Sequence, residues 1–94
     1  MSTVVPAGTV HCGLETLYRE HSTWLHGWLR QRLNSSADAA DLAQDTFIRV
    51  LLARTAGTLN QPRHYLATIA RGLVIDLYRR RSLETAYLEA LALQ

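Results

Sequence analysis

Two sets of charged side chains in this chain are spaced for chemistry. Between Gln61 and Arg81, the stretch QPRHYLATIARGLVIDLYRRR carries Arg63, Arg71, Arg79, Arg80 and Arg81 against a single acid, Asp76. Guanidinium forks on the outer side of a helix suit phosphate pairing and make the stretch a candidate nucleic-acid reader. The same residues would also serve as a solvated surface, and the pattern leaves both readings open. The second set is Asp38, Asp41 and Asp45, spaced three and four apart with Gln44 beside them. Carboxylates in a first helical turn complement the helix dipole. Asp45 lies deeper than that effect reaches, so the strip is either ordinary surface or a docking face for a basic partner. All ten basic residues are arginine, and the net charge is only +2 because acids and bases sit in different segments. That segregation predicts one basic and one acidic surface, hence two partners. The lack of lysine is weaker evidence, since a GC-rich genome produces the same bias.

Catalytic constellations are missing. There is no glycine-rich phosphate loop, no HExxH pair and no nucleophile elbow. His11, His21, His26 and His64 are scattered, and Cys12 is the sole cysteine, so neither an internal disulfide nor a cysteine metal cluster can form. Asp76 precedes Arg79 and Arg80 by three and four residues, which reads as a helix ion pair rather than a catalytic acid. The residues therefore point to a protein without enzymatic activity, metal or cofactor. The N-terminus has neither the basic start nor the long apolar run of a signal peptide, and no stretch is long enough to cross a membrane. A reducing, cytoplasmic setting fits the cysteine usage.

The elements that must position these groups follow from apolar spacing. At 94 residues the chain is one small domain. Residues 1–12, with Pro6 and Gly8, read as a flexible tail, leaving a folded domain over 13–94. From Gly13 to Leu33, Leu14, Leu17, Tyr18, His21, Trp24, Leu25, Trp28 and Leu29 mark one helical face. Trp24 and Trp28 could stack bases, but on an apolar face large aromatics belong with the core. Asn34-Ser35-Ser36 stops this helix and offers a cap to the next. The second helix, Ala37 to Arg54, turns Leu42, Thr46, Phe47, Val50 and Leu51 inward. Thr55 to Gln61 is a loop hinged at Gly57, with Asn60 and Gln61 as exposed amides able to read base edges or merely to populate a loop. In the third helix Leu66, Ile69, Ala70, Leu73 and Leu77 form the buried stripe, and Pro62 suits its first turn. Ser82 is expected to cap a short final helix through Leu93, whose stripe of Leu83, Ala86, Tyr87, Ala90 and Leu91 runs into an uncapped end. The fold class is all-α: a small bundle of three main helices plus a short C-terminal helix.

Three segments taken together resemble a known family. LYREHSTWLHGWL (17–29), DAADLAQDTFIRV (38–50) and PRHYLATIARGLVIDLYRRR (62–81) are similar to conserved region 2 of sigma-70 family factors, in particular the extracytoplasmic-function (ECF) type. Each segment alone is weakly specific; the combination is not. The following SLETAYLEALAL resembles the sigma factors that control ferric-siderophore uptake. The likeness covers about residues 14–93, nearly the whole chain.

The resemblance implies roles at matching positions. Asp41, Gln44, Asp45, Phe47 and Arg49 fall where region 2 docks on the clamp helices of the RNA polymerase β′ subunit. The loop 55–61 falls where the family holds a base flipped from the promoter −10 element, with Asn60 and Gln61 lining its pocket. Arg63, His64, Arg71, Arg79 and Arg80 fall where the family's recognition helix meets −10 DNA and its phosphates. The implied function is to bind core polymerase and to recognise and melt the −10 element, initiating transcription of iron-uptake genes in the bacterial cytoplasm. An anti-sigma factor, the cytoplasmic part of a membrane-spanning regulator, is the implied third partner, and the final apolar helix either contributes to that contact, packs on the bundle or begins the linker. Two departures stand out. Gly72 replaces the asparagine common after the IAR triplet, which removes a polar DNA contact and leaves room for close approach. Region 4 is absent, so the chain is expected to be a domain of a longer protein. The competing readings are a helical protein-interaction module without DNA binding and a helix-turn-helix repressor, the latter disfavoured by the long loop before Pro62.

Overall fold

A computed structural model describes residues 5–54 and 56–93, with side chains described from residue 13 onward. Helix α1 spans Val5–Arg30, α2 spans Ser36–Ala53, a short 3-10 turn spans Ala56–Thr58, and α3 spans Pro62–Ala92. Among the described residues there are no strands, and the three main helices are those the apolar spacing predicts.

Two boundaries differ from expectation. Helix α1 begins at Val5, inside the stretch read from sequence as a tail; of that stretch, residues 1–4 lie outside the described residues. Pro6 falls in the first turn, where its missing amide has no helical partner, and Gly8 raises the cost of a helix without forbidding it. The separate C-terminal helix does not exist as such. Helix α3 runs unbroken through Ser82 to Ala92, because nothing between Arg81 and Leu83 reverses the backbone and neither Gly nor Pro interrupts the run. An internal serine caps only where the chain leaves helical geometry first.

The predicted cap of α2 is present. Ser35 is extended (φ −123°), and its hydroxyl accepts from the Asp38 amide at 3.2 Å. At the other end Arg54 takes a left-handed conformation (φ 57°), and its amide closes onto the carbonyls of Val50 and Leu51. That geometry reverses the chain into the 3-10 turn. Thr55, part of the predicted loop, lies outside the described residues.

The core is formed where the three stripes meet. Leu25 and Leu29 of α1, Ala39, Ala43, Thr46 and Val50 of α2, and Leu66 and Ala70 of α3 are almost fully buried. Thr46 is the one buried polar side chain among the described residues, and its hydroxyl donates to the Leu42 carbonyl at 2.8 Å. Trp24 and Trp28 pack against this cluster but remain half-buried, consistent with the core reading. Gly13 of α1 rests on the 3-10 turn so closely that a Cβ there would lie 3.2 Å from the backbone of Gly57. The α1 backbone at Gly13 therefore seats the loop that precedes α3.

Past Leu77, α3 leaves the bundle. Two contacts tie its departure to the rest: the Tyr78 hydroxyl donates to the Arg32 carbonyl, and Arg81 forms an ion pair with Asp38 at 2.9 Å. Residues 82–93 are all exposed, Leu83, Tyr87, Leu88 and Leu91 among them, which stretches the molecule to 69 Å along its longest axis.

Candidate polymerase and nucleic-acid interfaces

The acidic strip is less free than its sequence suggests. Asp38 is engaged by Arg81, whose guanidinium pKa is pushed above its ordinary value by that hydrogen bond and by the carboxylate charge. Asp45 pairs with Arg49 one turn on, at 3.4 Å. Asp41 is exposed and in no ion pair among the described residues, and Gln44 beside it is exposed too. Phe47, expected as a contact residue, is 6% exposed and meets the Tyr18 ring edge-on at 5.0 Å between centroids. It forms the floor of the surface rather than its face.

That floor belongs to a feature the sequence reading missed. An open groove of ≈ 820 Å³ runs between α1 and α2, lined in part by Leu14, Tyr18, Gln44, Phe47, Ile48 and Leu51. Tyr18, Ile48 and Leu51 are 52%, 45% and 37% exposed, too much for core residues. Helical periodicity assigned Tyr18 and Leu51 to the interior because both lie at the edge of an apolar stripe. The signal available was stripe width: α2 carries Phe47, Ile48, Val50, Leu51 and Leu52, more apolar surface than one packing face covers. Such a patch rimmed by polar groups marks an interaction surface.

The basic residues divide into three placements. His64, Arg71 and Arg79, spaced seven and eight apart, fall on one exposed stripe of α3 together with Thr68 and Ile75. Arg79 sits 3.9 Å from Asp76, the pairing expected from spacing. Arg80 lines a groove with Leu42, Asp45, Arg49, Leu73 and Asp76, and Arg79 lines it as well. The acidic and basic sets therefore meet along the α2–α3 seam. Arg63 turns toward α1: its Nε donates to His21 Nδ1 at 3.2 Å, and its guanidinium carbon lies 5.1 Å from the Trp24 ring centroid. Arg32 likewise covers Trp28, 3.6 Å from the ring centroid, while donating to the Trp28 carbonyl. Both tryptophans thus have arginines on their faces.

Asn60 and Gln61 are exposed at the loop's end, and Gln61 precedes α3 without capping it through its side chain. Next to them, Gly13, Leu17, His21, Gly57, Leu59 and Pro62 line a depression of ≈ 420 Å³. Gly72 is exposed mid-helix, and nothing in the chain comes within 4 Å of where its Cβ would be. No helix of the described residues is long and apolar enough to cross a membrane.

The Sigma-70 region 2 family matches residues 17–84, and the chain belongs to that family. It is also 49% identical over 85 residues, 90% of its length, to the ferric citrate uptake sigma factor FecI of Escherichia coli (strain K12). The chain spans about half the length of that relative, 49% of it. No solved structure matches the chain.

Proposed function

We propose that this domain docks on core RNA polymerase through the α1–α2 face and engages the promoter −10 element through the loop before α3 and the α3 stripe. Transcription of iron-uptake genes, as the relative's name suggests, is the process it serves, in the manner of an ECF sigma factor in the bacterial cytoplasm. The β′ clamp helices are the docking partner: exposed Ile48 and Leu51 supply apolar anchors, and Asp41, Gln44 and Asp45 supply the polar rim that fixes orientation. Asn60 and Gln61 read or hold a base. His64, Arg71 and Arg79 run along the phosphates, with Arg63 and Arg80 at the two flanks. An anti-sigma factor, the cytoplasmic domain of a membrane-spanning regulator, holds the domain inactive, and the projecting apolar end of α3 is its available contact.

The observation that carries this reading is the coexistence of two chemically distinct surfaces on one small bundle. One is an apolar groove, with the Asp41, Gln44 and Asp45 side of α2 next to its Ile48 by helical spacing, and the other is an exposed stripe that carries His64, Arg71 and Arg79. Co-purification with core polymerase tests it, using wild type, Asp41→Arg and Asp45→Arg, with circular dichroism to check folding. Wild type is retained, and both folded variants are lost or strongly reduced. Asp41→Arg has the cleaner effect, because Asp45→Arg also places two arginines one turn apart at Arg49. Retention of both variants would remove the acidic rim from the docking face; no retention of wild type would leave a helical interaction module.

A further inference from the structure

The contact between Arg63 and α1 is not explained by folding alone. Arg63 occupies the second position of α3, after Gln61 and Pro62, where the positive end of the helix dipole disfavours a cation. It is nevertheless held from two sides. His21 Nδ1 accepts from its Nε at 3.2 Å, and the Trp24 face lies 5.1 Å from its guanidinium carbon, within cation–π range. The His21 side chain is only 14% exposed, whereas Arg63 is exposed. Among the described residues Nε is the Arg63 nitrogen that forms a hydrogen bond, and Arg63 is exposed two residues after Gln61, where the loop ends. For Nδ1 to accept, the His21 proton must be on Nε2, which faces Glu20 Oε1 at 3.9 Å.

We propose that His21 is a positioning residue: with Trp24 it anchors the Nε edge of Arg63, presenting both Nη groups to a phosphate of the DNA strand entering the loop. The proposal rests on the assignment of Arg63 to the DNA surface. A long side chain fixed in advance loses less rotamer freedom when the phosphate arrives, so the contact strengthens without any new bond to DNA. The arrangement also explains why an arginine sits where the helix dipole disfavours it.

The test measures binding of the chain, assembled with core polymerase, to a fork-junction DNA carrying a single-stranded −10 segment, across a salt series. Arg63→Ala should weaken binding and lower the salt slope by about 0.7–0.9, the value for one lost phosphate contact. His21→Leu should weaken binding by about three- to tenfold, the usual worth of one hydrogen bond, and should add little in the Arg63→Ala background. His21→Asn puts an amide oxygen where Nδ1 lies and should restore binding; His21→Gln, which reaches to the Nε2 position, should not. Melting curves separate loss of fold from loss of positioning, and the Asn variant decides the matter even if the Leu variant unfolds. No effect of His21→Leu, full additivity with Arg63→Ala, or equal rescue by Asn and Gln would each overturn the proposal. No effect of Arg63→Ala would overturn it together with the place of Arg63 on the DNA surface.

Discussion

The faces presented by α2 and α3 differ in what surrounds their charges. On α2 the carboxylates share the helix with exposed Ile48 and Leu51, which line the groove with Tyr18, and two of the three are already in ion pairs, Asp38 with Arg81 and Asp45 with Arg49. On the α3 stripe, His64, Arg71 and Arg79 accompany one large apolar side chain, Ile75, and only Arg79 has a carboxylate within 4 Å. A protein partner gains affinity from apolar anchors and uses polar groups to set register. A polyanion gains affinity from cations that release counterions, and internal ion pairs would weaken that gain. The contrast teaches that charge alone does not sort these surfaces; the apolar area beside the charge does.

The largest expected effect comes from removing that apolar area. Ile48→Glu combined with Leu51→Glu should lower affinity for core polymerase by about thirtyfold or more, the effect of losing a hot spot of about 2 kcal/mol. Both side chains are substantially exposed, so helicity and melting should hold. The salt dependence of DNA binding should not move. If polymerase affinity survives with the fold intact, the groove is not the anchor, and the difference drawn between the two faces collapses on its α2 side.

The other face is broken by charge removal. Arg71→Ala and Arg79→Ala should each weaken binding of promoter DNA by the polymerase-bound chain and lower the salt slope by about 0.7–0.9. Arg71 should show the fuller effect, because Arg79 shares its charge with Asp76 at 3.9 Å. Neither substitution should change affinity for polymerase. A loss that is equal at low and high salt would mean that these arginines act by something other than phosphate contact.

The pattern of what the sequence disclosed follows from which forces are local. The three helices, the Ser35 cap and the inner stripes of Leu25, Leu42, Val50, Leu66 and Ala70 are set by spacing of three and four and by short-range turn chemistry, so they could be read directly. The groove could not, because whether Tyr18 and Leu51 are covered depends on how far apart α1 and α2 stand. Nor could the partners of the charges. Arg63 with His21 and Arg81 with Asp38 join residues 42 and 43 positions apart, and only the packing of α3 on the other two helices brings them together. Ser82 shows the opposite failure. Its capping chemistry is real but needs a break in the backbone, and the helix-favouring run from Leu83 to Ala92 supplies none.

The smallest effect tests how closely DNA approaches the α3 stripe. Gly72 follows Arg71 on the exposed side of the helix, and a methyl group there would meet nothing within 4 Å in the chain. Alanine should therefore stabilise the domain by about 1 kcal/mol through helix propensity alone. For a domain of this size that raises the melting temperature by about 4–8 °C. Core polymerase affinity should stay unchanged, because Gly72 is remote in sequence and element from the α1–α2 groove. DNA binding carries the information. If side chains alone meet the phosphates, Gly72→Ala binds promoter DNA as wild type does, and that is the outcome expected from long arginines standing off the helix. A more stable variant with weaker DNA binding would mean that the strand lies against the backbone at Gly72, in the space a Cβ would take. The α3 face would then be defined by a missing side chain as well as by its arginines.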